Sequence, residues 1–190
     1  MIWWPESIPT LTVGTTSLRP MRPTDAEDIF KAVQDPEIPK FTTLPEDYPI
    51  ELAIEFATSR NVNSHLNKTE LVFVMEDSEL ASSNHPYSNG FAGVISLHSI
   101  DIPNHRAEIG YWMAKEARGR GIGTRAGSLI TEYGLMTMGF NRIDGIVDVR
   151  NEPSKQLLLK AGYEFEGIMK KYVTRSDGSQ LDMALFAATK

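Results

Sequence analysis

The stretch AEIGYWMAKEARGRGIGT, from Ala107 to Thr124, contains the pattern that decides the fold. Its first half alternates with a period of two residues, which is typical of a β-strand with two distinct faces. Beyond Met113, the glycines Gly119, Gly121 and Gly123 lead into a segment whose apolar residues recur at helical spacing. The sequence therefore predicts a strand, a glycine-rich turn and a helix that begins at about Gly121.

The predicted helix runs to Met138, where Gly139 supplies a left-handed C-terminal cap. Its first turn presents backbone N–H groups that have no partner within the helix, and glycines there let the oxygens of a ligand approach these donors closely. Basic residues surround the turn in a chain whose formal net charge is −6: Lys115, Arg118, Arg120 and Arg125. These features predict a phosphate site, and the alternative is a tight turn with a solvated basic rim.

Composition restricts the class of protein. At 190 residues with 41% hydrophobic content, the chain can bury one sizeable core, so we expect a single domain over 1–190 with an N-terminal extension at 1–10. The absence of cysteine excludes disulfides and cysteine nucleophiles. The four histidines lack metal-ligand spacing, so we place them in loops or at the surface and expect no metal site.

The sequence also predicts the cellular location of the protein and its contacts with membranes and nucleic acid. Neither a secretory signal nor a membrane span is apparent in the sequence, so we expect a cytoplasmic protein without membrane contact. The sequence pI of about 5.3 argues against direct contact with nucleic acid.

The segments on either side of the central stretch complete an α+β pattern. Before it we predict strands at 11–13, 17–21, 71–75 and 91–97, a helix capped by Thr24, and a helix over 50–61 that buries Leu52, Ile54 and Phe56. After it we predict a strand at 142–149, a helix from Asn151 to Gly162, and an antiparallel pair over 164–175 and 180–187. Because a strand–helix–strand unit normally forms a parallel crossover, the result is a mixed, mostly antiparallel sheet with helices on both faces.

Three polar segments are predicted as loops, at residues 35–49, 76–90 and 98–106. The segment 76–90 is longer than a hairpin requires, so we interpret it as a mobile loop or one that orders over a substrate.

The order of the motifs is similar to that of one enzyme family. Arg118-x-x-Gly121-x-Gly123, preceded by EIGYWM, resembles the acyl-CoA pyrophosphate loop of GNAT-family N-acetyltransferases. With SLRPMRPTDAEDIF at 17–30 and NEPSKQLLLKAGYEFEG at 151–167, the resemblance extends over nearly the whole chain. It is closest to the ribosomal-protein N-terminal (alanine/serine) acetyltransferases. It implies the GNAT acyl-CoA N-acyltransferase fold, with a sheet of about seven strands, and transfer of an acetyl group from acetyl-CoA to a primary amine in a ternary complex.

The resemblance also implies roles for single residues. The pantetheine and pyrophosphate would be held by Trp112, Met113, Arg118, Gly119, Arg120, Gly121, Ile122, Gly123 and Thr124, and Asn151 would touch the cofactor. Ser154 would protonate the leaving sulfur, and its alternative is an ordinary first-turn serine. Glu108 would be the general base, and its alternative is a structural residue hydrogen-bonded within the sheet. An α-amine has a pKa of only about 7.7 to 8.0, so a base that acts through water can suffice for it.

Other functions fit parts of the pattern. Gly121-x-Gly123-x-x-Ala126 followed by Asp144 also satisfies a dinucleotide-binding fingerprint, but polar residues 114–120 separate the strand from the first glycine. A non-catalytic acyl-CoA-binding module would keep the loop without an acid or base. As acceptor, the sequence favours a protein or peptide N-terminal amine, with a polyamine or aminoglycoside as the alternative. A homodimer stays possible.

Overall fold

The computed structural model describes residues 1–81, 85–87, 89–175 and 177–190. Its centre is an eight-stranded sheet in the order β1-β2-β3-β4-β5-β6-β8-β7. Strands β5 and β6 run parallel, and the other neighbouring pairs run antiparallel. The predicted mixed α+β fold is therefore confirmed, with a strand count close to the expected seven. The strands are β1 Leu11–Val13, β2 Thr16–Arg19, β3 Leu71–Asp77, β4 Phe91–Asp101, β5 Arg106–Met113, β6 Arg142–Asp148, β7 Glu164–Thr174 and β8 Gln180–Thr189.

Helices cover both faces of the sheet. Strand β3 shows this, because every residue from Leu71 to Met75 is buried although successive side chains point to opposite faces. The helices are α1 Ala26–Val33, α2 Glu37–Phe41, α3 Ile50–Glu55, α4 Asn61–Leu66, α5 Ile122–Glu132 and α6 Glu152–Lys160. Two π-helical segments, Phe56–Arg60 and Tyr133–Met138, join α3 to α4 and extend α5. The predicted cap of this long helix is confirmed, since Gly139 adopts a φ of 86°.

The parallel pair β5–β6 opens after three residues. Arg106 to Glu108 pair with Arg142 to Asp144, and β5 then continues to Met113 while β6 continues to Asp148 beside β8. Beyond these pairs, the two neighbouring strands no longer form backbone hydrogen bonds with each other. This arrangement creates an opening in the middle of the sheet, directly before the glycine-rich turn.

The N-terminal extension lies against the two helical layers of the same chain. The backbone N–H of Trp3 donates to the carbonyl of Met138 at 2.8 Å, and the indole N–H of Trp4 donates to the carbonyl of His65 at 3.1 Å. Trp4 is half-buried, whereas the Trp3 side chain remains 52% exposed. The extension therefore covers part of the core of its own chain.

Two helix predictions are wrong in detail. Thr24 does not cap the first helix, because it lies within a 3-10 turn over Pro23–Asp25 and Asp25 is the residue that precedes α1. The buried Asp25 carboxylate accepts the backbone N–H of Arg22 at 2.6 Å and pairs with Arg19. In the second helical run, Leu52 and Ile54 are 38% and 49% exposed. The face that touches the core instead carries the smaller Ala53 and Ala57, which are buried and allow a closer approach of the helix to the sheet.

The predicted loops also need correction. Residues 35–49 contain the short helix α2, and β4 continues through the predicted loop 98–106 to Asp101 before a tight turn into β5. Of the predicted loop 76–90, residues 82–84 and 88 lie outside the described residues, as does residue 176 of the turn between β7 and β8.

Candidate active site

The glycine-rich turn places free amide groups at the start of α5. Gly121 precedes the helix with a φ of 75°, and the first hydrogen bond of the helix runs from the Arg125 N–H to the Gly121 carbonyl at 3.0 Å. The amides of Ile122, Gly123 and Thr124 therefore have no acceptor within the helix. Together with the positive end of the helix dipole, they form a site suited to a phosphate group.

Two arginines of the turn bind the protein itself. The Arg118 guanidinium pairs with Asp35 at 2.7 Å and donates through Nη2 to the Met113 carbonyl at 2.8 Å. Arg125 pairs with the buried Asp77 at 3.0 Å. The sequence predicts that basic residues surround a phosphate here; in the structure, Arg118 and Arg125 each pair with a carboxylate of the chain.

Asp77 anchors the start of α5. Its carboxylate accepts hydrogen bonds from Thr15 and Thr16 on the β1–β2 side and from Arg125 on the helix. Burial acts to raise the pKa of Asp77, but the bonds from Thr16, the Glu79 backbone and the other donors outweigh it and hold the pKa below its usual value. The anionic carboxylate thus fixes the helix terminus relative to β2 and β3.

Strand β5, α5 and α6 converge beside the opening. A Cβ atom on Gly123 would lie 2.7 Å from both the Met113 sulfur and a methyl group of Leu157, so a larger residue would displace the ends of these side chains. On the other face of β5, the Trp112 ring packs against Phe91 with ring centroids 6.1 Å apart. Of the predicted residues near the pantetheine, Met113 therefore points toward the loop and Trp112 points away from it.

The predicted acid and cap residues lie across the opening. Asn151 caps α6 as predicted, because its side-chain oxygen accepts the Ser154 N–H at 3.2 Å. The Ser154 hydroxyl lies 2.6 Å from the hydroxyl of Tyr111 on β5. Tyr111 was not predicted as a site residue, although its alternation with Ile109 and Met113 assigns it to the same face of the strand. The two hydroxyls thus connect the two sides of the opening.

Glu108 lies on the opposite face of β5 from Tyr111. Its neighbours in the sheet are His98 on β4 and Asp144 on β6, and it is half-buried. Since residues directly opposite each other share a face, Glu108 and these two neighbours form one polar group at the point where the strands separate. Glu108, the predicted base, and Ser154, the predicted acid, therefore lie on opposite faces of β5. Both could contact the same reacting group only within the opening.

The prediction for His98 is wrong. The sequence places it in a loop or at the surface, but it lies within β4 and is half-buried. Its ring crosses β5, because Nε2 would be 2.7 Å from a Cβ atom on Gly110. The Ser99 hydroxyl lies 3.0 Å from Nδ1 and holds the ring in this orientation.

The structure has two further features relevant to function. Within the ranges that it describes, no three His, Cys, Asp or Glu side chains form a group that could hold a metal ion. In those same ranges, no helix is both long enough and apolar enough to cross a membrane.

Three known proteins show what the chain is similar to in sequence. The uncharacterized N-acetyltransferase p20 of Bacillus licheniformis is 26% identical over 184 residues, which cover 95% of this chain and 96% of that protein. The ribosomal-protein-serine acetyltransferase of Escherichia coli K12 is 32% identical over 95 residues, 50% of this chain and 52% of that protein. The spermidine N(1)-acetyltransferase of the same strain is 25% identical over 154 residues, 80% of this chain and 75% of that protein.

One solved structure and one family profile also match the chain. The ribosomal L7/L12 alpha-N-protein acetyltransferase RimL, in complex with coenzyme A, has the same fold with a TM-score of 0.79, 20% identity and coverage of 95% of this chain and 98% of that chain. The profile of the acetyltransferase (GNAT) domain matches residues 16–164. The chain therefore belongs to the GNAT family of N-acetyltransferases, enzymes that take their acetyl group from acetyl-CoA.

Proposed function

We propose that the enzyme transfers the acetyl group to the N-terminal amine of a protein or peptide, directly from acetyl-CoA in a ternary complex. The observation that carries this proposal is the opening between β5 and β6. It has amides without acceptors in the helix at one end, the Ser154 hydroxyl on one side and Glu108 on the other face of β5. A thioester in the opening would be accessible to both groups.

The cofactor would lie along the turn. Its pyrophosphate would accept hydrogen bonds from the amides of the loop residues Gly119, Arg120, Gly121, Ile122, Gly123 and Thr124, with Arg118 bracing the loop from behind. The pantetheine arm would run along the backbone of Trp112 and Met113 toward Asn151. Acetyl-CoA is a polyanion, and a site built on fixed amide dipoles binds it without reorganisation.

The reaction needs one base and one acid. Glu108, acting through a water molecule, would remove a proton from the attacking ammonium group, and the neutral nitrogen would form a bond to the acetyl carbon. The C–S bond would then break, with its electron pair remaining on sulfur, while the nitrogen loses its second proton to water. Ser154 would give its proton to the sulfur and regain one from water, so that the products are an amide and free coenzyme A thiol.

One chemical argument and one structural contact favour a peptide amine as the acceptor. An α-amine is easier to deprotonate than a lysine amine, whose pKa is about 10.4, which suits a base that acts through water. The net charge of −6 favours cationic acceptors in general, peptide amines and polyamines alike. Arg175, at the end of β7, donates to the Lys40 carbonyl of α2, so segments from either side of the opening meet.

A small polyamine is the second candidate, because one relative that covers most of the chain is a spermidine N(1)-acetyltransferase. Spermidine would suit the same acidic balance. Its amines lack the neighbouring peptide group of a protein N-terminus, so the two acceptor classes are separable by kinetics.

The test is the specificity constant kcat/KM, measured with acetyl-CoA by thiol release. The acceptors would be short peptides with N-terminal serine or alanine, the same peptides with a blocked N-terminus, spermidine and an aminoglycoside. We expect an unblocked peptide to have the highest value and the blocked peptides to be inactive. If spermidine or the aminoglycoside exceeds every peptide by about tenfold, which is roughly 1.4 kcal/mol in transition-state binding, the peptide assignment is wrong.

A further inference from the structure

The contact between Tyr111 and Ser154 joins the two sides of the opening. Tyr111 comes from the part of β5 that no longer pairs with β6, and Ser154 comes from the first turn of α6, which follows β6. Their oxygens are 2.6 Å apart, and the Ser154 carbonyl lies 3.3 Å from the same tyrosine hydroxyl. The tyrosine thus touches the predicted acid at the position where the sulfur of the cofactor would lie.

Tyr111 has one proton, which it can donate to Ser154 Oγ at 2.6 Å or to the Ser154 carbonyl at 3.3 Å, and the Oγ contact has the better hydrogen-bond distance. Burial raises the pKa of Tyr111 to about 12, so the phenol keeps its proton at neutral pH. A serine hydroxyl has one proton and two acceptor lone pairs. If Tyr111 donates to Ser154 Oγ, the serine proton is free to point elsewhere, and the incoming hydrogen bond polarises it. The cap bond from the Ser154 N–H to Asn151 fixes the residue in this place.

We propose that Tyr111 is a positioning residue for Ser154: it donates a hydrogen bond to Oγ and thereby directs the serine proton toward the sulfur of coenzyme A. This inference rests on the proposed role of Ser154. As the C–S bond breaks, the electron pair stays on sulfur and the Ser154 proton moves toward it, while Tyr111 keeps its own proton. The tyrosine therefore stabilises the leaving thiolate without exchanging a proton with it.

The first test needs no acceptor and uses coenzyme A and desulfo-coenzyme A, which lacks the sulfur. Affinities would be measured by titration calorimetry at a pH of about 9, where a free thiol with a pKa of about 8.5 is mostly ionised. In the wild type, the thiolate should gain affinity from the serine proton. We expect Tyr111→Phe to reduce the affinity ratio of coenzyme A to desulfo-coenzyme A by about fivefold, since hydrogen bonds to charged groups are strong.

Tyr163→Phe is a matched control. Tyr163 is also buried, and its hydroxyl lies 2.8 Å from the Thr131 hydroxyl of α5 rather than beside Ser154. This variant loses an equivalent buried hydrogen bond, so we expect it to keep the wild-type affinity ratio. An equal ratio in Tyr111→Phe and the wild type would overturn the proposal. Loss of affinity for both ligands alike would also overturn it and would indicate a purely structural tyrosine.

The second test uses turnover with the most active acceptor of the panel. Tyr111→Phe should lower kcat by about tenfold with little change in the KM for acetyl-CoA, and adding it to Ser154→Ala should cause no further loss. If the loss of kcat in the double variant is instead the product of the two single losses, Tyr111 acts independently of Ser154. That result would overturn the inference on Tyr111 and leave the proposed acid in place. Wild-type turnover in Ser154→Ala would remove both the inference and the proposed acid.

Discussion

Replacement of Gly121 by valine should abolish acetyl-CoA binding while the protein stays folded. Gly121 has a φ of 75°. This conformation costs any L-residue about 1–2 kcal/mol, and it costs a β-branched residue such as valine at least as much. A Cβ atom there would also lie 3.1 Å from Arg125 Nη1, in the guanidinium group that pairs with Asp77. The turn would have to change its conformation, and the amides of Ile122 and Gly123 would no longer point toward one phosphate.

The expected loss of affinity is large. A hydrogen bond from an amide to a charged phosphate contributes about 1.5 to 3 kcal/mol, so the loss of two such bonds weakens binding at least about a hundredfold. Titration calorimetry with acetyl-CoA would measure it. The matched control is Gly162→Val, because Gly162 also has a positive φ, 93°, but lies at the end of α6 with open space around its Cβ position.

The Gly162→Val control separates the effect of backbone strain on stability from the loss of the phosphate site. Both variants should have lower melting temperatures than the wild type, and we expect only Gly121→Val to lose the cofactor. Unchanged acetyl-CoA affinity in a folded Gly121→Val protein would show that the cofactor does not bind at this turn.

Replacement of Ser154 by alanine should lower kcat by about ten- to a hundredfold, with the KM for acetyl-CoA changed less than about twofold. Such a pattern is expected for a group whose interaction forms mainly in the transition state, and the size reflects the contribution of one general acid to a thiolate that already leaves readily. The cap from Asn151 to the Ser154 backbone is independent of the hydroxyl, so α6 should keep its first turn.

Steady-state kinetics with varied acetyl-CoA would measure both constants. Ser64→Ala is a suitable control, because the Ser64 hydroxyl donates only to backbone carbonyls of its own helix, including Arg60 at 2.8 Å. A Ser154→Ala enzyme with wild-type turnover would reduce Ser154 to a first-turn serine without a chemical role.

The local elements around the site were predictable from sequence. The period-two alternation before Met113, the left-handed cap at Gly139 and the side-chain cap at Asn151 are all consequences of neighbouring residues along the chain. Local geometry of this kind depends on backbone conformation and on short-range hydrogen bonds, both of which residue types indicate directly. The strand, turn and helix could therefore be placed within a few residues.

Contacts between distant segments were not predictable in the same way. The alternation shows that Tyr111 shares a face with Met113, but nothing local shows that Ser154, 43 residues later, lies beside it. The arginines present the same problem. Arg118 pairs with Asp35 and Arg125 with Asp77, and a basic residue near a turn does not reveal whether its partner is a ligand or an acidic side chain of the protein.

The helix over 50–66 shows a different cause of error. Large apolar residues such as Leu52 and Ile54 suggest the buried face, but the structure buries Ala53 and Ala57 instead. Leu52 and Ile54 are two residues apart, so a helix with 3.6 residues per turn cannot place both on one face, and hydrophobicity alone does not identify the buried side.

The proposed acetylation of an N-terminal amine can be tested on one peptide with a free N-terminal serine and an internal lysine. The peptide would be incubated with acetyl-CoA and the wild-type enzyme and then analysed by fragmentation mass spectrometry. We expect one acetyl group on the α-amine and an unmodified lysine. Acetylation of the lysine, or an unmodified peptide under conditions in which spermidine is acetylated, would show that the enzyme does not act on N-terminal amines of this kind.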